Sequence, residues 1–196
     1  MKTKYLLFLG FLIPIVFWIT LFMCSLILGD YNHFSRLVSE LGSIGTETQY
    51  IFTTGLVLCS FLSILFIIGL YRVCTYNNIS TIPVLVMLTF SFSIAGAGLF
   101  PLPLELHGIL GMPSVLLILS PMTALLLWSN KNKPGSIKLM SALCFLIMLL
   151  GFLAFFPEVL SNFTGLKQRF FHLGWTVWFV YLSYSFLKLM DQKSNN

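Results

Sequence analysis

Long apolar runs recur along this chain and restrict its fold more than any other feature. Six of them occupy 5–28, 50–71, 82–100, 108–128, 137–156 and 170–187. Each is near the roughly 20 residues that carry a helix across a hydrocarbon core of about 30 Å. Only 9% of the 196 residues are charged while 58% are hydrophobic, and the mean hydropathy is +0.94. A soluble fold of this size cannot hide so much apolar surface, whereas helices in lipid expose theirs freely and satisfy their backbone internally. The expected fold class is therefore all-α: a polytopic bundle of six transmembrane helices forming one domain over 1–196.

Punctuation between the runs supports the division. Thr46 and Gln49 have capping-box spacing before the second run, and Pro101 with Pro103 separates the third from the fourth. Asn77-Asn78 and the NKNKPG stretch at 130–135 mark turns on the opposite side. Pro113 and Pro121 should bend the fourth span. The first run follows Lys2 and Lys4 as a secretory signal would, but it exceeds the typical apolar core of about 7 to 15 residues and no small-x-small cleavage site follows. It reads as a retained first helix.

Charge sets the orientation, because Lys and Arg accumulate in cytoplasmic loops. With the N-terminus inside, Lys2, Lys4, Arg72, Lys131, Lys133, Lys138, Lys188 and Lys193 fall on the inner side, 8 of the 11 basic residues. Arg36, Lys167 and Arg169 fall outside, with Asp30, Glu40, Glu47, Glu105 and Glu158; of the acids only Asp191 is inside. Both termini are thus expected in the cytoplasm of a cell whose plasma (inner) membrane holds the chain. The basic residues are spread thinly and do not interleave with exposed aromatics, so nucleic acid is not an expected partner. Cys24, Cys59, Cys74 and Cys144 form no C-x-x-C pair and read as small packing residues, leaving no cofactor or metal motif.

Polar residues gather on the outer side, where all three histidines lie. In the first outer loop, Tyr31, Phe34, Leu37, Val38 and Leu41 share one side of a helical projection, which suggests a short interfacial helix. Two readings stay open: a lid held by an Arg36–Glu40 i,i+4 pair, or a lid whose Ser39/Glu40 edge turns inward over the bundle. Arg169, His172, Thr176 and Ser183 form a narrow polar stripe that should face the bundle interior. Trp175 is expected in an interfacial aromatic belt, and Trp178 and Tyr181 in packing. His107 opens the fourth span as either a helix-start residue or a ligand.

Three segments carry a family resemblance: YNHFSRLVSELG at 31–42, AGLFPLPLELHG at 97–108 and GLKQRF at 165–170. In that order, between six apolar runs, they resemble the prokaryotic six-helix membrane family DUF998. Ser39, Glu40, Leu41, Gly42, Phe100, Pro101, His107, Gly165, Gln168 and Arg169 match the pattern. The chain departs from it at Pro103 and Glu105, where an Asp is usual, and at Gly111, where relatives often have a second His. The resemblance implies fold and location and supplies no activity.

Three function classes follow. The first is an outward pocket that binds or moves a lipid or other amphiphile, with Ser39, Glu40, His107, Arg169 and His172 as its ligand-binding residues. The second is an intramembrane hydrolase with a metal on His107, His172 and an acid, for which no compact ligand spacing exists. The third is a structural or interaction subunit of unstated oligomeric state. A serine nucleophile lacks its G-x-S-x-G elbow, and no span carries the mid-depth charge of an ion channel. Arg169, costly to leave unpaired near lipid, is expected to recruit Glu40 first and Glu105 second.

Overall fold

The computed structural model describes residues 2–128 and 137–194, with side chains as far as 192. The described residues hold helices and turns and no strand. The turn expected at 130–135, with Lys131 and Lys133, lies outside them, as does the Lys193 side chain.

The α-helices are α1 (Thr3–Leu28), α2 (Gln49–Tyr76), α3 (Ile82–Val86), α4 (Leu88–Leu99), α5 (Glu105–Gly111), α6 (Leu119–Leu127), α7 (Ile137–Gly151) and α8 (Thr164–Ser194). Five stretches are long and apolar enough to cross a membrane: Thr3–Leu28, Gln49–Tyr76, Ile82–Leu99, Glu105–Leu127 and Ile137–Phe155. The last apolar run forms the middle of α8. It is diluted by His172, Thr176, Ser183, Ser185 and indole and phenol rings, because much of its surface meets protein: Trp175, Trp178, Phe179 and Leu182 are all fully buried.

Two spans are broken. The third divides at Met87 into α3 and α4, and the fourth passes through a 3-10 segment, Met112–Ile118, between α5 and α6. Pro113 opens that segment, where its missing N–H costs an α-helical hydrogen bond. Past the end of α7, Phe152–Phe155 is likewise 3-10.

Neighbours in sequence pack on one another: α1 on α2, α2 on α4, α3 on α6, α6 on α7 and α7 on α8, while α8 returns to α1. The ring is filled by aromatic side chains of α8. Trp175 meets Phe17 of α1 and Phe90 of α4, Phe179 meets Phe66 of α2, and Trp178 donates to Ser120 Oγ of α6 at 2.9 Å. The belt position expected for Trp175 is therefore corrected: its large apolar body is worth more in the core than at a surface. Trp178 and Tyr181 pack as expected. The four cysteines are buried and form no disulfide.

α1 and α8 run antiparallel over their length. Lys4 pairs with Asp191 at one end, Ser183 Oγ donates to Leu7 O, and Trp18 Nε1 donates to Thr176 Oγ1 further along. Both ends of the chain thus lie at one end of the molecule. The opposite end carries the loop after α1, the α4–α5 turn and the start of α8.

The expected helix in the first of these loops is shorter than its pattern suggests. Asn32 Oδ1 accepts the N–H groups of Phe34 and Ser35, an Asx-type turn that competes with helix formation, and only Val38–Gly42 forms a 3-10 turn. Tyr31, Val38 and Leu41 are buried as expected, whereas Phe34 is exposed. Thr46 does not cap α2; its hydroxyl donates to Ser43 O, and Gln49 Oε1 reaches back to Gly45 N–H instead.

Candidate functional site

The first motif docks onto the third. Gly165 leaves room for the loop backbone, since a Cβ there would run into the carbonyl oxygens of Arg36 and His33. Leu166 N–H donates to Phe34 O at 2.9 Å, and Val38 N–H donates to Gln168 Oε1 at 2.8 Å. Arg169 completes the contact. Its guanidinium donates to Arg36 O (3.1 Å), Gly165 O (2.9 Å), the Tyr31 hydroxyl (2.9 Å) and His33 Nδ1 (3.1 Å). The second motif joins through Ile44 N–H, which donates to Leu102 O at 2.8 Å.

Arg169 does not pair with Glu40. Glu40 accepts from Arg36 Nε at 2.8 Å and from Leu37 N–H at 2.8 Å, closing the i,i+4 pair and capping the 3-10 turn at once. The reason is local: Arg36 is one turn away on the same segment, while Arg169 finds four neutral acceptors without moving an acid. Arg36 also lies 3.8 Å from the exposed Asp30. Burial, opposed by the hydrogen bond from Arg169, raises the Tyr31 phenol above its ordinary range. The Glu40 hydrogen bond raises Arg36 further.

The same logic fixes a tautomer. Guanidinium only donates, so His33 Nδ1 accepts and Nε2 carries the proton. That proton goes to Ser25 Oγ at 3.1 Å, and the Ser25 hydroxyl donates to Phe22 O. Burial and then the Arg169 charge lower the His33 pKa. Lys167 is fully buried beside this cluster and donates to Phe156 O (3.0 Å) and Val159 O (2.7 Å). All three basic residues of this end are thus engaged in holding its loops.

Beneath the docked loop lies a cavity of about 340 Å³. Ser39, His107 and His172 line it; Glu40 and Arg169 do not. Most of the lining is apolar, and it contains no Lys, Arg, Asp or Glu. Its walls are the α4 side chains, the α5 to 112–118 stretch, the 152–155 segment and the first turns of α8. The 112–118 segment packs chiefly on α4 and also meets α7, the 152–155 segment packs on α8, and α6 and α7 pack together further along. Met112 and Phe155, one from each of these segments and both in the lining, are more than half exposed.

Each cavity histidine has a defined Nδ1. His107 Nδ1 lies 2.9 Å from Phe100 O and 3.2 Å from Ala97 O, so it donates to carbonyls that end α4, and in the neutral ring Nε2 is left as an acceptor. His172 is the opposite case: Trp175 Nε1–H donates to its Nδ1 at 3.1 Å, so Nε2 carries the proton. That Nε2 is sealed from solvent and has no partner among the described residues. Ser93 Oγ, on a residue only 2% exposed and also in the lining, is unpartnered too.

Ser93 was not singled out by the sequence reading. The available signal was a serine inside an apolar span, which should face the interior; its neighbour Ser91 does so, meeting Ser63 Oγ at 2.6 Å. No three His, Cys, Asp or Glu come together as a metal site among the described residues.

The family model described as "Protein of unknown function (DUF998)" matches residues 11–185, and the chain belongs to that family. No curated protein and no solved structure matches it.

Proposed function

We propose that the chain is an integral protein of the plasma (inner) membrane that spans it six times, with both termini cytoplasmic, and that its outward cavity binds or moves a lipid or other amphiphile. The sixth span is the middle of α8. An even number of crossings is supported by the Lys4–Asp191 pair, which holds both chain ends together. Orientation rests on charge. The three basic residues that break the positive-inside bias, Arg36, Lys167 and Arg169, are each committed to internal bonds, so they need not act as topology signals.

The observation that carries the ligand reading is the cavity itself: largely apolar walls with a few neutral polar groups among them, and exposed Met112 and Phe155 in the lining. In this topology the exposed Met112 and Phe155 face lipid, so a membrane-dissolved molecule reaches the cavity past them without crossing water. In this reading Ser39, His107 and His172 contact the ligand, while Glu40 and Arg169 hold the loop that roofs it.

Gly108 supplies the test, because it lines the cavity and a Cβ added there meets nothing within 4 Å. Gly108→Phe should fold, since it removes a helix-weakening glycine, and should fill the cavity. Lipid retained by the purified wild-type chain should then be lost from the variant. Equal retention by the two would overturn the reading, and a cytoplasm-active reporter that works when fused after Glu47 or Ser161 would overturn the topology.

A further inference from the structure

Every residue over 155–163, from the end of the 3-10 segment that follows α7 to the start of α8, is exposed, yet most of the stretch is apolar. Phe155, Phe156, Val159, Leu160 and Phe163 each show 42 to 60% of their surface, and Glu158 is the only charged residue among them. A contiguous apolar patch of this kind is a liability in water and marks a surface that something covers.

The backbone of the stretch is satisfied from within. Lys167, fully buried in the first turn of α8, donates to Phe156 O at 3.0 Å and to Val159 O at 2.7 Å. Phe163 N–H donates to Leu160 O, and the Thr164 hydroxyl donates to Ser161 O. The N–H groups of Phe156 and Val159 go to Leu153 O and Phe156 O. An ammonium is costly to bury, and both bonds of this one serve the segment. A loop in water has no need of such internal partners, because water solvates its carbonyls; a segment in contact with lipid does need them.

Leu160 points the same way. Its backbone is left-handed, with φ 50°, a conformation that Asn and Gly adopt more readily. A turn facing water gains nothing from leucine at that position, whereas a turn facing acyl chains gains the burial of its side chain. Continuity identifies the cover. The stretch Ile137–Phe155 is long and apolar enough to cross a membrane, and its exposed Leu139, Leu146 and Leu150 lead into the segment. Glu158, Ser161 and Asn162 keep polar side chains exposed in the same stretch, which sets it at the level of the headgroups rather than in mid-bilayer.

We propose, resting on the six-span reading above, that residues 155–163 are an interfacial anchor seated in the outer leaflet, with Phe156, Val159, Leu160 and Phe163 among the acyl chains and Lys167 satisfying the backbone from beneath. Phe155 belongs both to this anchor and to the cavity lining, so the anchor brings leaflet lipid against the cavity wall.

Nitroxide labels on the full chain in phosphatidylcholine vesicles test the seating. Phe156→Cys and Leu160→Cys carry the label in the anchor, Leu146→Cys carries it on the exposed face of α7, and Ser35→Cys carries it on the exposed first loop. The native cysteines are buried, so the wild-type chain should take up no label. Oxygen, which partitions into hydrocarbon, should relax the labels at 156 and 160 as it does at 146. Relaxation by a water-soluble nickel chelate, strong at 35, should be lost at all three. Lys167→Met should restore nickel relaxation at 160, and continued protection there would overturn the role given to Lys167.

Nickel reaching 156 and 160 but not 146 would overturn the anchor and leave the six-span reading standing. Nickel reaching 146 as well would overturn both. Labels at 156 and 160 shielded from oxygen and nickel alike would mean that a second copy of the chain covers the segment, which also overturns the lipid occupant. The comparison among the four labelled sites decides the seating even if Lys167→Met fails to fold.

Discussion

Trp175 donates its indole N–H to Nδ1 of His172 across 3.1 Å, three residues back along α8. An indole can only donate, so this bond makes His172 the Nε2–H tautomer. Trp175→Phe keeps most of the packing against Phe17 and Phe90 and removes the bond. Nitrogen NMR of the labelled chain should find His172 as the Nε2–H tautomer in the wild type and as a mixture in Trp175→Phe. A pure Nδ1–H signal in the wild type would contradict the assignment.

Arg169 and Glu40 serve the same loop through different partners, so their losses should differ. Arg169→Ala removes four charge-assisted bonds and should cost about 3 kcal/mol of stability in detergent. Arg169→Lys should recover only part of this, because an ammonium cannot reproduce the planar fork. Glu40→Gln touches a half-exposed pair and should cost less than about 1 kcal/mol. Thermal or denaturant unfolding of the three variants checks the order; a larger effect from Glu40→Gln would mean that the carboxylate, not the guanidinium, holds the loop.

His33 should make stability depend on pH. Burial and the Arg169 charge lower its pKa in the folded chain, while the unfolded chain takes up the proton as pH falls through the ordinary value of 6.5. Its contribution is therefore complete above 6.5 and is lost progressively as pH falls from there toward the folded value. Protonated Nδ1 would also face the Arg169 donors. Unfolding midpoints at pH 7.5 and 5.5 should drop more in the wild type than in His33→Asn, and parallel drops would exclude His33 as a contributor.

Lys167 is buried without an acid among its described contacts and holds two carbonyls of the segment that follows the 152–155 turn. Lys167→Met keeps the stem and loses both bonds, so the chain over 156–163 should loosen at a cost of about 1 to 2 kcal/mol. Limited proteolysis should then cut within that stretch faster than in the wild type. Unchanged cleavage would show that the apolar contacts of the segment suffice.

The course of the backbone through its apolar runs was legible in the sequence because it depends on local quantities. A span is a run of apolar residues of sufficient length, and its ends are marked by Pro, Asn and Gly close by; the runs at 5–28, 50–71 and 82–100 fall within or beside helices of nearly those bounds. The interior-facing stripe of α8 was legible too, since Arg169, His172, Thr176 and Ser183 share one face at helical spacing and each bonds or packs inward. The family motifs placed three loops at one end of the molecule without saying how they touch.

The partners were decided by tertiary structure. Whether Arg169 meets Glu40 or a set of carbonyls depends on the docking of residues 31–38 against 164–169, more than 120 positions away, which no periodicity encodes. Glu40 was claimed by Arg36 because a neighbour one turn away needs no such docking. Trp175 went to the core for a reason of the same kind: a ring of helices leaves a central space, and only the assembled ring shows that α8 fills it. The cavity belongs wholly to this level, since its lining is drawn from the first loop, α1, α2, α4, α5, the 112–118 and 152–155 segments and α8.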